Sequence, residues 1–185
     1  MTFRFRLALL VGLSSTLAAC NGTVDGGVIM DAGGSAIDTG SPPGNDASVA
    51  FGEHLGARIA KRQGKATVED PLQEFVEEMN REAIRLGMTQ SFFVNTSGLT
   101  AEKHKSSCED LVLLAREAMK DELFRKVVST RQHGATVSSV AGYSRNLLWT
   151  NTNPLLKTEG YVGIKTGTTD AAGACLVSCS ERDGK

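Results

Sequence analysis

Gly163-Ile164-Lys165-Thr166-Gly167-Thr168-Thr169, followed by Ala172-Gly173, is the stretch on which the fold reading turns. Tyr161 to Lys165 predicts a strand ending in this motif, and Ala174 to Ser180 predicts a second strand after a turn rich in Gly and Thr. Side-chain chemistry gives Lys165-Thr166-Gly167 a use at such a place. A lysine ammonium beside a strand holds a carboxylate as a compact point charge. The Thr166 hydroxyl can donate to the same carboxylate, and Gly167 lets the backbone approach a ligand closely. The amide of Thr168 is then a candidate backbone donor to a developing oxyanion. Three residues alone are a weak signal, and in isolation Lys165 reads as a solvated lysine at a strand end. The weight must come from the rest of the chain.

Upstream the pattern is helical. Val49, Ala50, Leu55, Ile59 and Ala60 suit one helix, although Gly52 and Gly56 weaken it. Asp70-Pro71-Leu72-Gln73 reads as a capping box with proline at the first helical position. Leu72, Phe75, Val76, Met79, Ala83 and Leu86 then recur at helical spacing, and Gly87 suits a left-handed stop. Ser106-Ser107-Cys108-Glu109 predicts another capped start, and Asp121 predicts the cap of a short helix through Val128. After Thr130 the chain turns extended, over Ala135 to Ser139 and Ser144 to Thr150. Helices first and strands afterwards predict an α+β domain, its helices packed on a largely antiparallel sheet.

Composition narrows the function classes. The 185 residues are 41% hydrophobic and 22% charged, with a formal net charge of -1. That is an ordinary globular balance without the basic footprint of a nucleic-acid binder, so no nucleic-acid partner is expected. His54, His104 and His133 are scattered, so no metal site is expected and each histidine reads as structural or solvated. No cofactor is expected either.

The N-terminus reads as an address. Arg4 and Arg6 precede an apolar run from Leu7 to Leu17, which is shorter than the roughly 20 residues of a stable membrane span. Leu17-Ala18-Ala19-Cys20 resembles the lipobox of bacterial lipoproteins, in which the cysteine is lipidated; the alternative is an ordinary secretory signal cleaved near Ala19. Residues 1–19 are thus expected to be a signal peptide. Residues 20–43, rich in Gly, Asp, Ser and Thr, are expected to be a lipidated cysteine and flexible tether. The domain is expected over 44–185, in the cell envelope. Cys175 and Cys179 lie about 13 Å apart in an extended strand, too far to bridge, and read as small buried hydrophobes.

Further blocks sit around the motif in order. They are Phe75-Val76-Glu77-Glu78-Met79-Asn80, Leu86-Gly87-Met88, Phe93-Val94-Asn95, Gly98-Leu99, His104-Lys105-Ser106-Ser107 before Asp110-Leu111, Asn151-Thr152-Asn153-Pro154-Leu155-Leu156, and Gly173-Ala174-Cys175-Leu176-Val177. With Lys165-Thr166-Gly167, which is one of three motifs of penicillin-binding proteins and serine β-lactamases, residues 44–185 resemble the low-molecular-weight D-alanyl-D-alanine carboxypeptidases. The resemblance implies an incomplete DD-peptidase/β-lactamase-like domain. It also implies release of the terminal D-alanine from peptidoglycan stem peptides through a serine acyl-enzyme, with β-lactams as further ligands.

Two departures matter. No serine of the chain is followed by lysine three residues later, so the family's Ser-x-x-Lys nucleophile is absent from these 185 residues. Thr100-Ala101-Glu102-Lys103 has the spacing but lies between blocks and reads as coincidence. In Pro43-Gly44-Asn45-Asp46-Ala47 the family's Ser-x-Asn motif keeps Asn45, a candidate for binding a substrate amide, while proline stands in the serine position. The other reading makes Asn45 the end of the tether. Ser180 to Lys185 reads as a turn toward a further strand whose absence leaves an unpaired edge, so a truncated or recombined copy is expected. Two functions remain: a carboxypeptidase-family protein inactive alone, or a non-catalytic envelope lipoprotein that binds D-Ala peptide termini or a partner.

Overall fold

The computed structural model describes residues 43–65, 68–138, 142–169 and 172–182. Helix α1 is Pro43–Arg62. It begins one residue before the expected domain start, so Pro43, assigned above to the tether, is its first residue; the fixed φ of proline suits that position. Gly52 and Gly56, taken as weaknesses, are where α1 touches the next helix. A Cβ on Gly56 would lie 1.6 Å from the Pro71 carbonyl oxygen, and one on Gly52 would lie 2.5 Å from Leu72 Cδ1. The two helices pack this closely because neither position carries a side chain.

Helix α2 is Pro71–Arg85, and its cap is the expected one: Asp70 Oδ1 accepts from the Gln73 amide at 2.9 Å. Gly87 follows with φ +79°, the left-handed stop. Phe75, Met79 and Ala83 on one face are buried in the core with Leu55 and Ile59 of α1. Helix α3 is Cys108–Ala118, capped by Ser107, whose hydroxyl accepts from the Asp110 amide at 3.2 Å. The expected cap was Ser106, one residue earlier. Ser106 is instead fully buried against Ser91 Oγ at 2.7 Å, and Lys105 pairs with Phe92 as an extended bridge, so the chain is not free to turn helical until Ser107. Helix α4, Glu122–Ser129, is capped by Asp121 as expected.

Among the described residues the strands form two separate antiparallel pairs rather than the one sheet expected. β1 (Gln132–Ser138) pairs with β2 (Ser144–Thr150) in a largely exposed ribbon, where His133 stacks on Trp149. After a 3-10 turn over Pro154–Lys157, β3 (Tyr161–Thr169) pairs with β4 (Gly173–Ser180). Among the described residues, only this second pair reaches the core. Helix α4 lies against β3, with Val128 so close to Gly163 that a Cβ there would sit 2.8 Å from Val128 Cγ2. Ile164 is buried beside it. On β4, Cys175, Val177 and Cys179 share a half-buried face, and no disulfide joins Cys108, Cys175 and Cys179 among the described residues. The two strand cysteines are therefore less buried than expected, because the face they share with Val177 is only partly covered.

Candidate active site

Lys165, Thr166, Gly167 and Thr168 are consecutive on β3, opposite Val177, Leu176, Cys175 and Ala174 of β4. The motif was expected to end its strand. Pairing continues to Thr169↔Gly173, where Gly173 opens β4 at φ +67°, so the motif lies within the strand. Continuous backbone pairing with β4 therefore fixes the positions of these four residues.

Strand alternation puts Lys165 and Gly167 toward the protein and leaves Thr168 exposed. Lys165 is 7% exposed, which overturns the solvated-lysine alternative. Burial disfavours its charged form and pulls the pKa down to about 7. Its Nζ folds back along the strand and donates to the carbonyl oxygen of Thr166. The titratable nitrogen thus stays at the Thr166 backbone. That hydroxyl meets Thr152 Oγ1 at 2.7 Å.

Thr152 stands on the segment Asn151-Thr152-Asn153, which internal hydrogen bonds hold in place. The Asn151 side chain donates to the Thr130 and Val128 carbonyls at the end of α4, while its Oδ1 accepts from the Asn153 amide. Asn153 Oδ1 accepts from the Leu155 amide, and its Nδ2 is buried with no hydrogen-bond partner among the described residues. In the sequence this segment was only one block of a resemblance. The threonine between two asparagines that each brace a turn was the available signal, and it was not separated out.

Asn45 lies in the first turn of α1 and is 3% exposed; neither polar atom of its side chain has a hydrogen-bond partner among the described residues. A buried unsatisfied amide costs about 1–3 kcal/mol. Such depth does not suit the end of a flexible tether. Ser48 Oγ donates to the Asn45 carbonyl at 2.8 Å and approaches Thr96 Oγ1 at 3.4 Å, so this turn rests on the 96–97 loop. No hydrogen bond of its side chain joins Asn45 to β3.

The remaining candidates lie elsewhere. Cys20 is outside the described residues. Thr100 to Lys103 are not helical: Glu102 and Lys103 form an exposed turn, with Lys103 at φ +69°. The helix that would set a threonine and a lysine side by side is missing, consistent with coincidence. His104 is buried, its Nδ1 accepting from the Val94 amide at 3.2 Å and its ring edge-on to Phe93. An open cavity of about 360 Å³ on α2, lined by Val76, Ile84, Phe92 and Val94 among others, does not include β3.

The family described as D-alanyl-D-alanine carboxypeptidase matches residues 42–185. The D-alanyl-D-alanine carboxypeptidase DacF of Bacillus subtilis (strain 168) is 33% identical over 140 residues, 75% of this chain and 32% of its own length. A D-alanyl-D-alanine carboxypeptidase of Streptomyces sp. (strain K15) is 34% identical over 146 residues, 78% of this chain and 48% of its own. The crystal structure of the Streptomyces K15 DD-transpeptidase superposes with a TM-score of 0.71 at 26% identity, covering 97% of this chain and 76% of that one. The chain spans 32% and 48% of the length of the two curated relatives named here.

Proposed function

The chain belongs to the D-alanyl-D-alanine carboxypeptidase family, and from that premise we propose that it acts in peptidoglycan metabolism by holding the D-Ala-D-Ala end of a stem peptide, without forming an acyl-enzyme on its own. The observation that carries the reading is β3, where Lys165 is buried with its Nζ on the Thr166 carbonyl and the next residue's hydroxyl meets Thr152.

In this reading the Lys165 ammonium attracts the terminal carboxylate and the Thr166 hydroxyl donates to it. Gly167 keeps the strand open to the peptide backbone. The Thr168 amide points a donor at the scissile carbonyl oxygen, and Asn45 supplies its unspent amide to a substrate amide. A proton enters with the ligand, because the carboxylate favours charged Lys165 over the neutral form that burial favours.

The chemistry stops there. Acylation needs a hydroxyl oxygen to bond to the carbonyl carbon while its proton is carried to the departing D-alanine amine. These 185 residues contain no Ser-x-x-Lys, and Pro43 has no hydroxyl to relay that proton. Binding groups alone leave only residual acceleration. Hydrolysis is the parent activity of the family, and the same two departures favour, for this polypeptide, the second reading of a non-catalytic binder of D-Ala termini or of a partner. β-Lactams carry an equivalent carboxylate and are proposed as reversible ligands. Leu17 to Cys20 supports export and a lipid anchor at Cys20, which place the domain in the cell envelope.

The test is an amide NMR titration with an N-acylated L-Lys-D-Ala-D-Ala peptide and with its C-terminal carboxamide. Weak binding of the acid, shifting β3 amides, and little or no binding of the carboxamide are expected. Equal responses to both, or none, would refute the assignment.

A further inference from the structure

We infer that Thr152 is a positioning residue that aims the Thr166 hydroxyl at the ligand carboxylate, an inference that rests on the function proposed above. The two hydroxyl oxygens are 2.7 Å apart, on elements that are neither sequence neighbours nor strand partners. A hydroxyl carries one proton. Thr166 can give its proton to a carboxylate only if its contact with Thr152 is the accepting one. Thr152 must then be the donor, and its donation leaves the Thr166 proton pointing at the ligand.

The way Thr152 is held supports a set direction. Asn151 on one side is tied to the end of α4 by two side-chain donations, at 3.1 and 3.4 Å, and its own amide donates to the Arg131 carbonyl at 2.8 Å. Asn153 on the other side is 3% exposed and caps the 3-10 turn through the Leu155 amide. Both neighbours are therefore fixed, yet Thr152 itself is exposed and its hydroxyl meets the motif rather than its own segment. Nothing in the packing of the core requires that hydroxyl. Its one described side-chain partner is the residue whose proton direction decides whether a carboxylate is bound.

The experiment compares the wild type with Thr152→Ser and with the near-isosteric Thr152→Val, Thr166→Val and double valine variants. The preference for N-acylated L-Lys-D-Ala-D-Ala over its carboxamide is measured by NMR. Thr152→Val should lower that preference roughly three- to tenfold, the range of one modest hydrogen bond. Thr152→Ser should restore it, and Thr152→Val should cost nothing further in the Thr166→Val background. Undiminished preference in Thr152→Val overturns the inference while leaving the proposed function standing. A wild type that does not prefer the carboxylate overturns the function itself. In that event the Thr166 side-chain couplings decide the contact: a single rotamer that averages in Thr152→Val upholds it, and one that survives unchanged overturns it.

Discussion

Replacing Lys165 with methionine removes a buried amine while keeping most of its length, and the change should alter how stability depends on pH. In the folded chain the amine titrates near 7 instead of 10.5, for one reason: burial disfavours the ammonium. The folded value lies below the unfolded one, so between about 7 and 10.5 the unfolded chain binds the proton that the folded chain has released. Stability therefore rises with pH across that window, and the cost of burying the charge is present in full below about 7. At about 1.4 kcal/mol per pH unit the whole effect is roughly 5 kcal/mol, of which about 2 should appear between pH 7 and 8.5. Denaturant unfolding of wild type and Lys165→Met at pH 6, 7, 8 and 9 isolates it, since Cys175 and Cys179 titrate in both. The variant should be the more stable at pH 6, and the gap should close as the pH rises. Parallel curves would refute the burial argument, as would a variant that is less stable at every pH.

Gly56→Ala should destabilise the fold by about 3 kcal/mol in urea unfolding, because its Cβ would sit 1.6 Å from the Pro71 carbonyl oxygen and force α1 off α2; no loss would show that the two helices do not pack as described. Asp110→Ala should cost about 2 kcal/mol by the same assay, since it strands the Gln90 amide, from which Asp110 Oδ2 now accepts at 2.8 Å, and removes the acceptor that the Ser91 hydroxyl meets at 2.7 Å; a change under about 0.5 kcal/mol would contradict that. Cys20→Ser should release the protein into the soluble fraction and abolish fatty-acid labelling, and unchanged fractionation would refute lipidation.

Much of this was legible in the residues, for reasons that differ by element. Asp70 and Asp121 were readable as caps because a short acceptor before an apolar helical period has few other uses. Ser106 and Ser107 were not separable, since both are good caps and the choice is made by Ser91, a tertiary partner that lies 15 residues away. Gly52 and Gly56 looked like flaws because propensity describes an isolated helix, whereas their role is a contact with α2. The strand pair carrying Lys165 was visible in its spacing, but its burial was not, because the covering groups come from elsewhere in the chain. Asn45 was ambiguous for the opposite reason: Gly44 and Asp46 beside it have tether composition, and only the helix starting at Pro43 shows its depth. Thr152 was missed because a hydrogen bond across 14 residues leaves no periodic trace.

The central claim is a family domain that binds but forms no covalent intermediate, and intact-mass spectrometry after incubation with a penicillin tests it most directly. The expected result is the unmodified mass of the polypeptide, however long the incubation and however high the penicillin concentration. A mass increased by one penicillin, mapped to any serine or threonine, would contradict it, and an adduct on Thr100 would show that Thr100-Ala101-Glu102-Lys103 is no coincidence.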